Sequence, residues 1–270
     1  MSQLIANIHP EAKIGKNVII EPFATIERNV EIGDGTWIGP HAVILSGSRI
    51  GKNCKIYAGA VIAQIPQDLK FDGEKSLTII GDNTSIREYC TISRGTVDKF
   101  QTTIGANCLL MAYVHVAHDC IIGDHVILVN GCQVGGHVEI ADHAIISGLC
   151  AVHQFVKIGQ HVMLAGGCVA RKDIPPFVRA GKSPVKFSGV NIIGLRRRGY
   201  TADQINTIRE AYRILYQSGL NNTAALKTIE SDLADSSEKE IIVNFLKNST
   251  RGIIPAHAGR AVAASDDDDL

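Results

Sequence analysis

LLMAYVHVAHDCIIGDHVILVNGCQVGGHVEIADHAIISGLCAVHQF (Leu109–Phe155) is the stretch that decides the fold of this chain. Leu110, Val116, Ile122, Leu128, Val134, Ile140, Ile146 and Val152 stand six residues apart without a break. A hexapeptide rhythm marks a parallel β-helix, in which each coil stacks on the one before. With three hexads to a coil, residues eighteen apart lie one above the other at about 4.8 Å. His118 then lies beneath Gly136, Asp119 beneath His137, and Gly135 beneath His153. The stretch holds six of the ten histidines: His115, His118, His125, His137, His143 and His153. A histidine, a carboxylate, a Gly-Gly pair and two more histidines thus converge on one spot, the candidate active site.

The rhythm extends both ways. Upstream, isoleucines recur at every sixth position from Ile8 to Ile62, and Gly15, Gly33, Gly39 and Gly51 follow four of them directly, where a corner leaves little room. The rhythm lapses at about 64–77 and again at about 97–103, which predicts two projecting loops carrying QDLK (Gln67–Lys70) and VDKFQT (Val97–Thr102). Beyond Val152 it runs through Ile158, Leu164 and Ala170 to Pro175-Pro176, where the ladder should end because proline donates no hydrogen bond. Thr201 with Gln204 then opens a helix with the apolar stripe Ile205, Ile208, Tyr212 and Leu215, stopped at Gly219. A second helix is expected from about Asn222 to Leu233, and a third opened by Ser237 with Glu240. The expected division is a β-helix over 1–189, a helical domain over 190–254, and a disordered tail over 255–270 ending SDDDDL.

Charge is balanced, with 27 basic and 27 acidic residues, so nothing argues for nucleic acid. Aromatics at 5% and 26 glycines suit thin β-structure with tight corners. No leader-like segment opens the chain, and no apolar run approaches the roughly 18–20 residues that span a bilayer, so a soluble cytoplasmic protein without membrane insertion is expected. Seven cysteines fit poorly with a disulfide framework. Cys54, Cys90, Cys108, Cys120, Cys132, Cys150 and Cys168 each follow an aliphatic hexad start by four, a slot otherwise filled by small or β-branched residues. They read as interior filler.

HVAHDC (His115–Cys120), GGHV around Gly136, AVHQF (Ala151–Phe155), QDLK and GVNIIGLRRRG (Gly189–Gly199) occur here in one order. Together they resemble the acyl-carrier-protein-dependent UDP-N-acetylglucosamine 3-O-acyltransferases of lipid A synthesis. The resemblance implies a mainly β fold, a left-handed parallel β-helix with a small C-terminal α-helical domain. It implies a homotrimer with clefts between subunits, and transfer of a 3-hydroxyacyl chain from acyl carrier protein to UDP-N-acetylglucosamine without a cofactor. It makes His118 the general base, puts His115, His137 and His153 around the sugar and acyl chain, brings Asp68 and Lys70 in from the first loop, and gives Asn191, Arg197 and Arg198 to the nucleotide. Gly166 matches the position where the family's glycine goes with long acyl chains, by leaving room for the terminal methylenes. Two departures stand out: Ser93 where many relatives carry histidine, and GKSPVKF (Gly181–Phe187) in the linker.

The residues carry the same chemistry on their own terms. Transfer of an acyl group from a thioester to a hydroxyl needs a base and oxyanion stabilisation, but no metal, because a thiolate leaves readily. Neutral imidazole is available as a base at neutral pH. Asp119 can orient the His118 ring, and Gly136 can offer an unobstructed N–H to an oxyanion. The His118 face recurs upward at Gly136, Gln154 and Lys172, a groove for an acyl chain with LAGG (Leu164–Gly167) near its far end. The plain alternatives are that His118 is an ordinary corner residue, that Arg196, Arg197 and Arg198 are a solvated charge run, and that His9, His41, His143 and His161 are surface residues. Rival functions are a zinc site on His115, His118 and His137 as in a hexapeptide carbonic anhydrase, the related N-acyltransferase, whose extra N-terminal domain finds no room before Ile8, and a scaffold without activity.

Overall fold

The computed structural model describes residues 5–256. Among them, three sheets of nine, eight and ten strands, parallel except for the last strand of the third, form the walls of a triangular prism, most strands being only two residues long. The chain runs from the first face at His115–Val116 to the second at Ile121–Ile122, the third at Ile127–Leu128, and back to the first at Gln133–Val134. Here the register is eighteen: His115 pairs with Gln133, Ile121 with Glu139, and Ile127 with Ile145. Successive strand side chains point to opposite faces. The second residue of each pair therefore fills the prism, and Val116, Ile122, Leu128 and Val134 are all buried. All seven cysteines are free and buried with them. Burial pushes the Cys120 and Cys132 thiols up to about 12, well away from thiolate chemistry.

Each corner requires a residue in the left-handed region, which Asn, Asp and His tolerate best among non-glycine residues. That requirement places Asp119 (φ 59°) and His137 (φ 60°) one above the other between the first and second faces. Between the second and third faces it places His125, His143 and His161 in a column. Their rings stack, 4.7 Å apart from His125 to His143 and 4.8 Å from His143 to His161, with Phe177 beyond. The column sinks into the fold as it rises, and His161 is only 6% exposed. His143 and His161 are thus packed side chains and not the surface residues expected. Glycine is needed beside this corner for room: a Cβ on Gly15 would come 2.6 Å from Asp34 Oδ1, which accepts the Lys16 N–H at 2.7 Å.

Two loops leave the prism, residues 65–76 and 94–100, and they meet where Val97 N–H donates to Glu74 Oε1 at 3.0 Å. The prolines do not end the ladder. The strand Val178–Gly181 still pairs parallel with Met163–Leu164, because Pro175 and Pro176 fall in the corner before it, and it then folds back antiparallel on Lys186–Val190. Four helices follow: α1 (Ile192–Arg197), α2 (Ala202–Gln217), α3 (Asn222–Asp232) and α4 (Ser237–Asn248). The Thr201–Gln204 capping box is formed, whereas α4 is capped by Ser236, one residue before the serine expected. The short α1, which contains Gly194, was not legible from periodicity. After α4 the chain returns along the last coil: Ser249 Oγ donates to the buried Asp173 at 2.7 Å and Phe187 N–H to Pro255 O at 2.9 Å. Pro255 and Ala256 are therefore held, and the rest of the expected disordered tail lies outside the described residues.

The imidazole column links stability to pH. Burial, then the charges of His143 and Arg198, holds His161 down to about 4. The unfolded chain takes up its proton near 6.5 and the folded chain does not. The contribution of His161 is therefore complete above about pH 6.5 and is lost as pH falls towards 4, an effect of order 1–3 kcal/mol. Thermal unfolding should accordingly shift down between pH 6.5 and 4.5. In His161→Phe that shift should shrink, while stability at pH 8 drops through loss of the Tyr200 hydroxyl contact with the ring. An unchanged acid shift in the variant would contradict this assignment.

Candidate active site

The site forms where the second loop closes over the corner that carries His118 and Asp119. Asp119 turns inward and is 0% exposed. Its Oδ1 accepts the N–H groups of Thr96 at 2.9 Å and Lys99 at 3.2 Å, and its Oδ2 accepts Thr96 Oγ1 at 2.6 Å and faces His118 Nδ1 at 2.8 Å. Burial pushes this carboxyl up, but the hydrogen bonds from Thr96, His118 and Lys99 outweigh it and hold Asp119 below the usual carboxylate range. An ionised acceptor at Nδ1 assigns the proton of a neutral imidazole to that nitrogen. Nε2 then carries the free lone pair, 3.9 Å from Asp68 Oδ2 on the first loop.

The coil above completes the cluster. A Cβ on Gly136 would stand 2.8 Å from both Cε1 and Nε2 of His118, so glycine is what lets the ring lie against this backbone. Among the described residues the Gly136 N–H takes no hydrogen bond, and it remains available beside the ring. His137 stands edge-on to His118 at 5.0 Å and stacks on Phe155 at 4.4 Å. Its Nδ1 is 3.0 Å from Asp98 Oδ2, at angles that do not make a hydrogen bond, and its Nε2 is 3.9 Å from Asp119 Oδ2. His115 Nδ1 meets Thr91 Oγ1 at 2.7 Å, and burial followed by the charge of His118 lowers its pKa. His153, with Nδ1 3.2 Å from Gln154 O, and Gln154 itself are exposed one coil higher. Lys70 is exposed, with its N–H held by Asp68 Oδ1 at 3.0 Å.

One chain does not bring every candidate to this corner. Asn191, Arg197 and Arg198 belong to the corner of the imidazole column. Asn191 is 5% exposed and internally committed: its oxygen caps α1 at Gly194 N–H, and its Nδ2 donates to His161 O at 2.9 Å. Its side chain splints α1 with one lone pair and one N–H of the amide. Arg198 donates to Gly194 O and to His143 O at 3.2 and 3.4 Å, while Arg197 is exposed. Gly166 lies at the third corner, at the opposite edge of the first face from His118 and not on the His118 column. Its backbone does not demand glycine, whereas Gly167 has φ 68°, and a Cβ on Gly166 would meet Gly148 O at 3.3 Å. Ser93 is buried and takes the Gln64 amide at 3.3 Å. GKSPVKF forms the turn and edges of the terminal hairpin.

His118, Asp119 and His137 have donor atoms within 4.8 Å of one another, the one such group of metal-ligating type among the described residues. Its central oxygen, Asp119 Oδ2, is already taken by Thr96 Oγ1 and His118 Nδ1, so a cation would have to break the dyad. His115, the third ligand of the zinc alternative, lies outside that group, and its Nδ1 meets Thr91 Oγ1. Periodicity missed Thr96, Asp98 and Lys99, which lie in the insertion. Their one signal was the place of the insertion, one eighteen-residue coil before His118.

Comparison with known proteins shows the family. The hexapeptide transferase family (six repeats) matches residues 29–64 and 101–136, and the family described as Udp N-acetylglucosamine O-acyltransferase, domain 2, matches residues 173–254. A relative from Sulfurihydrogenibium named acyl-[acyl-carrier-protein]--UDP-N-acetylglucosamine O-acyltransferase is 51% identical over 98% of this chain and 100% of its own length. The crystal structure of LpxA, a UDP-N-acetylglucosamine acyltransferase from Bacteroides fragilis, is 53% identical and superposes with a TM-score of 0.91 over 93% of this chain and 98% of that one. The Francisella novicida UDP-N-acetylglucosamine acyltransferase gives 38% and 0.92 over 94% of each. The shared fold is mainly β, a left-handed parallel β-helix with a small helical C-terminal part. The chain belongs to the UDP-N-acetylglucosamine O-acyltransferase family.

Proposed function

We propose that this protein transfers a 3-hydroxyacyl chain from acyl carrier protein to the 3-hydroxyl of UDP-N-acetylglucosamine, the first step of lipid A synthesis. The observation that carries the reading is the His118–Asp119 dyad with an unengaged Gly136 N–H against its ring. His118 Nε2 takes the proton of the sugar hydroxyl while its oxygen attacks the thioester carbonyl. Gly136 N–H donates to the oxyanion of the tetrahedral intermediate. Collapse forms the ester and expels the carrier thiolate, which recovers the proton from His118. Asp119 stabilises the transient imidazolium, and Asp68 on the first loop is within reach of the attacking sugar. No step needs a metal or cofactor. The cytoplasm, which supplies acyl carrier protein, is the compartment this reading requires, and no described helix is long and apolar enough to cross a membrane.

The two corners that share the candidate residues come together in a homotrimer. The second face points charges outward, with Lys13 and Arg49 on Glu31, and Lys99 and Lys157 on Glu139. The first face presents Val61, Ala151 and Val169, and the third presents Leu109, Ile127, Ile145 and Met163. The corner between them exposes Tyr113 by 62% and Leu149 by 78%. Packing the first face of one chain on the third face of the next, with that corner at a three-fold axis, covers all of these. It also sets His118 of one chain across a cleft from Arg198 of its neighbour. The acyl chain would then cross the first face from His118 towards Gly166.

His118→Ala should lower turnover by at least about 10²–10⁴-fold, the usual contribution of a general base. Asp119→Asn should lower it less, and light scattering should still find three times the 29.0 kDa chain mass in both. More than about a tenth of the activity surviving in His118→Ala would move the base elsewhere. For chain length, long acyl chains should be preferred and Gly166→Met should shift the preference several carbons shorter. At about 0.8 kcal/mol per buried methylene the ratio of kcat/KM for long and medium chains should change by at least tenfold. An unchanged ratio in a folded trimer would exclude Gly166 as the determinant.

A further inference from the structure

The half-buried Arg198 has no carboxylate within 4.0 Å among the described residues, although burial holds its guanidinium below the ordinary arginine value. Two of its five N–H donors are spent on Gly194 O and His143 O. The rest lack a protein anion and are open to one from outside the chain. Its position is set by the imidazole column. Arg198 holds the carbonyl of His143, Asn191 Nδ2 holds the carbonyl of His161, and Tyr200 Oη meets His161 Nε2 at 3.1 Å with its ring edge-on to His161 at 5.2 Å. Asn191 and Arg198 are thus held by main-chain carbonyls of the column, and Tyr200 fixes the end of the segment to the His161 ring, on which His143 stacks.

We propose that His143 and His161 are positioning residues for the sugar nucleotide, acting through Arg198, which they present to its diphosphate. The inference rests on the function proposed above and adds to it a proton-sensitive seat for the substrate, separate from the base His118. Facing His143 are the rings of His125 and His161, the Arg198 guanidinium, and the Asp124 and Asp142 carboxylates. Burial, then the charges of Arg198 and His125, lowers its pKa, against the two aspartates. Facing His161 are His143, Arg198, Phe177 and Tyr200. A proton gained by the column is a like charge beside Arg198, and it pushes that side chain off its carbonyl. Acidification therefore weakens substrate binding through the column. The diphosphate of a sugar nucleotide is doubly esterified and stays ionised throughout, so the ligand itself contributes no titration.

The test is calorimetric titration of the full chain with UDP-N-acetylglucosamine between pH 8 and 5.5, with thermal unfolding recorded alongside. In the wild type, Kd should rise as pH falls. His143→Phe keeps a flat ring in the stack and removes its proton site, and it should bind like the wild type at pH 8 while losing most of the acid effect. His143→Ala removes the ring against which His161, the seat of Tyr200, is stacked, and should bind about five- to tenfold more weakly at pH 8. Arg198→Ala should bind weakly and lose the same part of the pH dependence. A purely structural column would lower the unfolding temperature of His143→Ala and leave its Kd alone. That result, or a full acid effect retained in His143→Phe, overturns the inference while acyl transfer by the wild type upholds the function. A wild type that does not bind the sugar nucleotide overturns both.

Discussion

Everything in this molecule depends on the hydrogen bonds that tie each coil to the next at a fixed offset. In the centre of the prism the His115 N–H reaches Cys132 O and the Ala117 N–H reaches Val134 O, and these bonds allow no slip. A shift of one residue would turn every inward aliphatic outward. The register makes columns of whatever the sequence repeats. Aliphatic side chains become a core, glycines and aspartates become a hydrogen-bonded edge, and left-handed corners become ladders of rings. The candidate site is one such column, in which Asp119, His137 and Phe155 occupy successive left-handed positions.

The same corner geometry that a solenoid needs for folding thus supplies the chemistry. Asp119 tolerates a positive φ and, so held, aims its carboxylate inward where Thr96 and Lys99 can saturate it. A buried carboxylate kept ionised by its donors orients the His118 ring and can stabilise the charge that develops on it. At the next corner the same backbone requirement selects His125, His143 and His161, but there the rings stack on one another, and the His143 carbonyl and the His161 ring hold the segment with Arg198 and Tyr200. Two corners with one backbone conformation differ because a loop closes over the first and a helix docks on the second.

Much of this was legible in the sequence because repetition makes spacing equivalent to contact. The eighteen-residue offset put Gly136 on His118 and His137 on Asp119, and the lapses in rhythm located both loops. What escaped had no period. Thr96, Asp98 and Lys99 reach the site from an insertion whose path no repeat dictates. The six-residue α1 is too short for an amphipathic signal, so nothing in the sequence marked the Asn191 side chain as its cap. His143 and His161 were read as surface because nothing in their own hexads reveals the helix that covers them. Gly166 was expected near the far end of the His118 groove, and counting strands sets it at the corner across the first face from that column.

The account stands or falls on the division of the site between neighbouring chains. The most direct measurement mixes two inactive variants, His118→Ala and Arg198→Ala, under conditions that let subunits exchange. In a trimer with clefts between neighbours, about one cleft in four of an equal mixture unites an intact His118 with an intact Arg198. The account predicts that activity rises on mixing towards about a quarter of the wild-type value. Mixed trimers that form, by mass, and remain as inactive as their parents would contradict it.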